Sequence, residues 1–208
     1  MIERALISVS EKQGLDCLIH GLFIINPYIE IISFGDTEKA IREIVGTEKH
    51  FEENHWIQGD KYKQDQIINV YDFTDLGEML MGRVKTLHPQ IHGGISYLKN
   101  IDAEEAKING IVPIDLVVCN FSLLTQTSVN HDTLEEFIEN FDIGGPAMIM
   151  GSVMNYKKVI VVVDHKDYSM IIDELKLGYG ELNSKSKEML AIKAVKYVAD
   201  YWSLNTEK

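Results

Sequence analysis

The chain is poor in cysteine, in basic residues and in long apolar runs, and each scarcity excludes something. It has two cysteines, Cys17 and Cys119, far apart and set in apolar stretches. No Cys-x-x-Cys pair or Cys/His cluster accompanies them, which argues against a zinc site and a disulfide framework. Two buried thiols in a reducing compartment are expected instead. Lysine and arginine number 20 against 32 aspartates and glutamates, a formal charge of −12. Such a chain lacks the basic face that nucleic-acid binding requires. A phosphorylated small molecule is not excluded, because it needs only a local positive pocket. The longest apolar runs are strand-sized, well short of a membrane span. Met1-Ile2-Glu3-Arg4 is not a basic segment followed by an apolar one, so no leader is expected. These readings together point to a soluble cytoplasmic protein.

What is present is ordinary globular composition: 208 residues, 45% hydrophobic and 25% charged. That length suits a single domain over residues 1–208, with enough apolar content to offset chain entropy. Arg4 to Ser10 reads as a short buried strand, followed by a helical spacing from Leu15 to His20. Ile29 to Ser33 is a β-branched run, followed by the turn Phe34-Gly35-Asp36-Thr37 and a helix over Glu38 to Val45. Val112 to Cys119 and Lys158 to Val163 read as two further buried strands. Helical patterns run over Thr133 to Asn140 and Ser186 to Tyr201. Apolar strands alternating with helices predict an α/β fold, a doubly wound, mostly parallel sheet with helices on both faces. The stretch 46–66 is polar, mixed in charge and without period, and reads as an insertion or flap. Its His50 and His55 suit an exposed loop better than a metal site.

In such sheets ligands sit beyond the carboxyl ends of the strands. The residues there are Ser10 and Lys12 after the first strand, Ser33, Gly35 and Thr37 after the second, and Asn120 after the third. Hydroxyls, glycine and lysine at strand-to-helix turns suit a phosphate, although Ser and Thr there also serve as helix caps. Gly82-Arg83-Val84-Lys85-Thr86-Leu87-His88-Pro89-Gln90-Ile91-His92-Gly93-Gly94-Ile95 gathers Arg, Lys, Thr and two His in one short stretch. It reads as a loop presenting several donors to an anion. Asp142-Ile143-Gly144-Gly145-Pro146-Ala147-Met148 joins a carboxylate to a glycine pair at a helix start, with Asp142 as its cap.

Ser8-Val9-Ser10-Glu11-Lys12, Gly77 through Pro89, Cys119-Asn120 and Asp142 through Met148 together resemble one family. It is the inosine monophosphate cyclohydrolase domain, the N-terminal half of a bifunctional purine-biosynthesis protein with a methylglyoxal-synthase-like fold. The likeness runs from Arg4 through Tyr168 and resumes in the helix from Glu188. The resemblance implies ring closure of a formamido-imidazole-carboxamide ribotide, with loss of water, to inosine monophosphate. No metal or redox cofactor is needed for that reaction. By similarity the nucleotide is held by Ser10, Lys12, Ser33, Gly35, Thr37, Arg83, Thr86, Cys119, Ile143 and Gly144. Lys85 would be the cation near the formyl oxygen, with Asp142 and Asn120 accepting from and orienting the carboxamide. The resemblance also implies a homodimer, with the C-terminal helix residues Ala191, Val195, Val198 and Trp202 either in that contact or in the core. It leaves no part of the chain for a formyl-transferring domain.

Four departures stand out. Ser122 replaces a family tyrosine; Met150 and Met154 replace an arginine and a proton-transferring lysine; Asp36 replaces a glycine in the phosphate turn. The stretch between Thr37 and Gly82 is also longer than the family's. A thioether neither donates nor accepts a proton usefully. An aspartate beside a phosphate dianion repels it by about 1–4 kcal/mol when partly screened. The pattern fits a divergent cyclohydrolase, or a homologue that binds a nucleotide or partner without turnover.

Overall fold

The computed structural model describes residues 1–46, 49–52, 55–58, 62–77, 80, 84, 86–121 and 141–206. Within them the strands are β1 (Arg4–Val9), β2 (Glu30–Ser33), β3 (Lys49–Glu52), β4 (His55–Gln58), β5 (Ile67–Asn69), β6 (Leu116–Asn120) and β7 (Ile160–Val162). Five of them form one parallel sheet in the order β5-β2-β1-β6-β7. β3 and β4 pair antiparallel in a separate two-stranded ribbon, within the stretch whose sequence shows no period. Strands too short to display alternation are invisible to a periodicity reading, and β5, three residues long, escapes it for the same reason.

The strands are apolar throughout because both sheet faces are covered. Ala5, Ile7 and Val9 of β1 point into one core with Leu116 and Val118 of β6 and Ile160 and Val162 of β7. That layer is closed by α1 (Leu15–Ile25), α2 (Gly35–Gly46) and α8 (Tyr168–Leu177). Leu6, Val117, Cys119 and Val161 point the other way, onto α5 (Pro89–Ser96), α7 (Gly144–Met154) and α9 (Ser184–Thr206). Shorter helices are α3 (Tyr62–Asp65) and α4 (Val70–Thr74), and α6 (Lys99–Ile108) precedes β6. The helix expected over Thr133 to Asn140 falls outside the described residues. Among the described residues no helix is long and apolar enough to cross a membrane.

Two local expectations are corrected. Cys17 is exposed on α1; only Cys119 is buried. The second half of the donor-rich stretch is helix α5, not loop: Pro89 occupies its first turn and His88 Nδ1 accepts the Gln90 N–H at 3.2 Å. On α9, Ala191 and Val198 are buried, whereas Val195 and Trp202 are exposed, so the apolar spacing divides between core and surface.

Candidate active site at the strand carboxyl ends

From β1 the chain winds outward to β2 and β5, then crosses back to β6 and β7. The order therefore reverses between β1 and β6, and a crevice opens where their carboxyl ends part. Val9 pairs with Asn120 in the register of these two strands. Beyond that pair the β1–α1 loop folds over the end of β6. Asn120 Oδ1 accepts the N–H groups of Ser10 at 2.8 Å and Glu11 at 2.9 Å. Asn120 Nδ2 donates to the Glu11 carbonyl at 3.4 Å, and Ser10 N–H also reaches the Asn120 carbonyl at 3.3 Å. The Asn120 side chain is buried, while Ser10, Glu11 and Lys12 lie exposed on the crevice rim. Asn120, expected to accept from the carboxamide, thus accepts two N–H groups of the β1–α1 loop.

The second turn is built differently from its sequence reading. The Ser33 hydroxyl is fully buried and donates to the Ile7 carbonyl at 2.8 Å. Thr37 Oγ1 donates to the Val9 carbonyl at 2.9 Å and accepts the Val9 N–H at 3.1 Å. Both hydroxyls fasten β2 and α2 to β1. Gly35 sits between them at φ +58, with no atom within 4 Å of where a Cβ would stand, leaving its backbone open to the crevice side. Asp36 points outward and pairs with Lys39 at 3.1 Å, and its side chain is 81% exposed.

Asp142 stands one residue ahead of Ile143, the N-cap of α7, and its Oδ1 accepts the Gly145 N–H at 3.1 Å. The glycine pair behind it is required by space. A Cβ on Gly144 would run into Thr86 Oγ1, and one on Gly145 would meet Asp142 Oδ2 at 2.6 Å and the Phe121 ring at 2.8 Å. Buried Thr86 therefore packs onto the start of α7. Arg83 and Lys85 themselves, like Ser122, lie outside the described residues. His92 faces inward: burial lowers its pKa, opposed by a hydrogen bond to the Thr86 backbone. Cys119 is buried, and burial and then the Asp142 carboxylate push its thiol pKa up, so only its backbone borders the crevice. Ile143 is 59% exposed at the rim.

Two residues escape the sequence reading. Tyr197 OH accepts the Phe121 N–H at 3.0 Å and donates to the Phe121 carbonyl at 2.9 Å. One turn on, Tyr201 OH accepts the Asp142 N–H at 2.8 Å. Phe121, Phe141 and Trp202 pack around them, with Phe121 and Tyr201 edge to face at 4.3 Å. The i, i+4 tyrosine spacing on an otherwise apolar helix face is the available signal.

Met150 is half-buried against the second core, and Met154 is exposed at the far end of α7. Ten residues of helical rise put Met154 about 15 Å from Gly144. The two methionine replacements therefore lie away from the Asp142 end of this crevice. Among the described residues no group of three or more His, Cys, Asp or Glu side chains could hold a metal ion.

These features define a doubly wound parallel α/β domain with a polar crevice at its switch point. The AICARFT/IMPCHase bienzyme family matches residues 152–206. Over 207 residues, 98% of the chain, it is 38% identical to the bifunctional purine biosynthesis protein PurH of Bacillus cereus. It is 39% identical over the same length to that of Bacillus mycoides. The chain spans 36% of the length of each of these relatives. The crystal structure of ForH superposes with a TM-score of 0.78 at 27% identity, covering 99% of this chain and 97% of that one. Over nearly its whole length the chain is thus similar to part of these bifunctional proteins, consistent with their inosine monophosphate cyclohydrolase domain.

Proposed function

We propose that the chain closes the ring of 5-formamidoimidazole-4-carboxamide ribotide to inosine monophosphate, with loss of water, as a cytoplasmic enzyme. The observation that supports this reading is the close approach of Thr86 to Gly144, which brings that threonine beside Asp142 at the start of α7. The substrate carries both reacting groups, so holding the carboxamide nitrogen against the formyl carbon supplies much of the acceleration. Asp142, exposed and held by its backbone and carboxylate bonds, would accept from the carboxamide NH₂. Lys85 would meet the charge developing on the formyl oxygen. Ser10, Lys12 and the open backbone at Gly35 would form the phosphate end, a role expected of Arg83 as well. Asp36 is exposed and pairs with Lys39, so solvent and the lysine screen the repulsion its identity suggests.

The test is the absorbance of inosine monophosphate grown from the formamido ribotide by purified protein. The rate should exceed the uncatalysed one and fall at least about 100-fold in Lys85→Ala and in Asp142→Ala. A wild-type rate equal to the uncatalysed one overturns the reading. A second reading, nucleotide binding without turnover, draws on Met150 and Met154, which leave α7 without the family's two cations. Calorimetric binding of inosine monophosphate by a chain with no ring-closing rate would establish it.

A further inference from the structure

The side chain of Asn120 occupies the centre of the switch point, yet its hydrogen bonds run to the protein. Its carbonyl oxygen has two acceptor sites, and the N–H groups of Ser10 and Glu11 fill both. Its amide nitrogen leans on the Glu11 carbonyl. The residue is 6% exposed, so water cannot replace these partners, and losing them would leave polar groups unpaired. A second side-chain tie on the loop it holds is looser, Glu11 Oε2 standing 3.6 Å from His165 Nδ1. Glu11, Lys12 and Gln13 are exposed, and a further backbone tie runs from the Leu15 N–H to the Lys12 carbonyl at 3.2 Å, around the left-handed Gly14.

The geometry points to Asn120 as a positioning residue: it clamps the β1–α1 loop to the end of β6, so that the Ser10 hydroxyl and Lys12 ammonium are pre-set for a phosphate, and does not itself touch the ligand. This rests on the proposed nucleotide site. Preorganising the loop moves its ordering cost from binding into folding, which shows as affinity. Asparagine suits the place. Asp142 and Glu11 are nearby carboxylates, so a neutral acceptor avoids a third negative charge beside a phosphate site.

Two measurements decide it. In the free protein, amide hydrogen exchange over Ser8–Gly14 reads the clamp without any ligand. Glu11 is the cleaner reporter, because Ser10 also reaches the Asn120 backbone. Asn120→Ala should speed exchange at Glu11 by about ten-fold or more, and Asn120→Asp, which keeps both acceptor sites, should keep the protection. Unchanged exchange in a folded Asn120→Ala protein overturns the clamp. The second measurement is a cycle of inosine monophosphate affinities. Asn120→Ala should weaken binding about ten-fold in the wild-type background but less than about two-fold in Ser10→Ala/Lys12→Ala. An equal loss in both backgrounds assigns Asn120 a direct ligand contact and sinks the proposal. If wild-type protein binds no inosine monophosphate, the nucleotide reading fails, while the exchange measurement still decides the clamp.

Discussion

The hydroxyl of Tyr201 accepts the backbone N–H of Asp142 at 2.8 Å, across 59 residues of sequence. Through that bond the C-terminal helix sets where the carboxylate at the start of α7 begins. Tyr201→Phe keeps the ring and its packing on Phe121 and removes the hydroxyl bond. A net stability loss of about 1 kcal/mol is expected. The ring-closing rate should fall more than that loss accounts for, with kcat affected before KM. A variant with unaltered kcat would show that Asp142 holds its place without Tyr201.

Gly145→Ala tests the same carboxylate from the other side. The added methyl would meet Asp142 Oδ2 at 2.6 Å and the Phe121 ring at 2.8 Å, so one of them must shift. Overpacking of this kind costs about 1–3 kcal/mol. Thermal unfolding should show the loss, and activity should drop toward that of Asp142→Ala. Gly35→Ala separates space from backbone strain: nothing stands near its Cβ, but φ +58 resists any side chain.

The two thiols should differ in reactivity. Cys17 is exposed, whereas Cys119 is buried with its pKa raised by burial and by Asp142. A disulfide reagent in mildly alkaline buffer should modify Cys17 alone in the folded chain and both thiols in denaturant. Prompt labelling of both in the folded state would contradict the packing of β6.

Lys193 of α9 bridges Asp164 and Asp167 at 2.7 Å each, tying that helix to the turn after β7. Burial alone would raise the Asp164 pKa, but the bonds from Lys193 and the Lys166 N–H prevail and lower it. Burial would lower the Lys193 pKa, and the two carboxylates prevail and raise it. The depressed Asp164 contributes stability above its unfolded value of ~3.9, lost as pH falls through the folded one. The raised Lys193 contributes below ~10.4, lost as pH rises through its folded value. With these groups partly exposed, Lys193→Met should cost on the order of 1 kcal/mol. Its melting deficit against wild type should be greatest near neutral pH, shrinking below about pH 4 and above about pH 10. A deficit flat across that range would assign the loss to packing of the lysine stem.

Asp36→Gly should tighten phosphate binding by no more than about three-fold, because the carboxylate is exposed and paired. It should also destabilise α2 by about 0.5–1 kcal/mol, through the lost first-turn acid and the freer backbone. A ten-fold gain in affinity would show that Asp36 faces the ligand.

The sheet is readable from the sequence where strands are long and bounded. β1 begins at Arg4, where the apolar run predicts it, because such a run followed by Ser10 leaves little choice of end. β6 begins at Leu116, later than the β-branched run from Val112 suggests. Pro113 lies ahead of it, and the Asp115 carboxylate turns back to accept the Glu3 and Arg4 N–H groups at 2.8 and 3.0 Å. The identities of the crevice residues are equally legible, since motif blocks name their members. What each side chain bonds to is not. That Ser33 and Thr37 fasten β1, and that Asn120 holds a loop 110 residues earlier, depends on contacts between segments far apart in the chain.

The tyrosines of α9 have a consequence for the order in which the protein is made. Synthesis runs from the N-terminus, and elements can begin to fold as they emerge. β1, its loop and Asn120 are available once β6 has been made, so the phosphate end of the crevice can form early. The Asp142 end must wait for Tyr201, which follows it by 59 residues. A growing chain would thus hold half a site for the time it takes to build α7, β7, α8 and most of α9, gripping an anion before it can act on one.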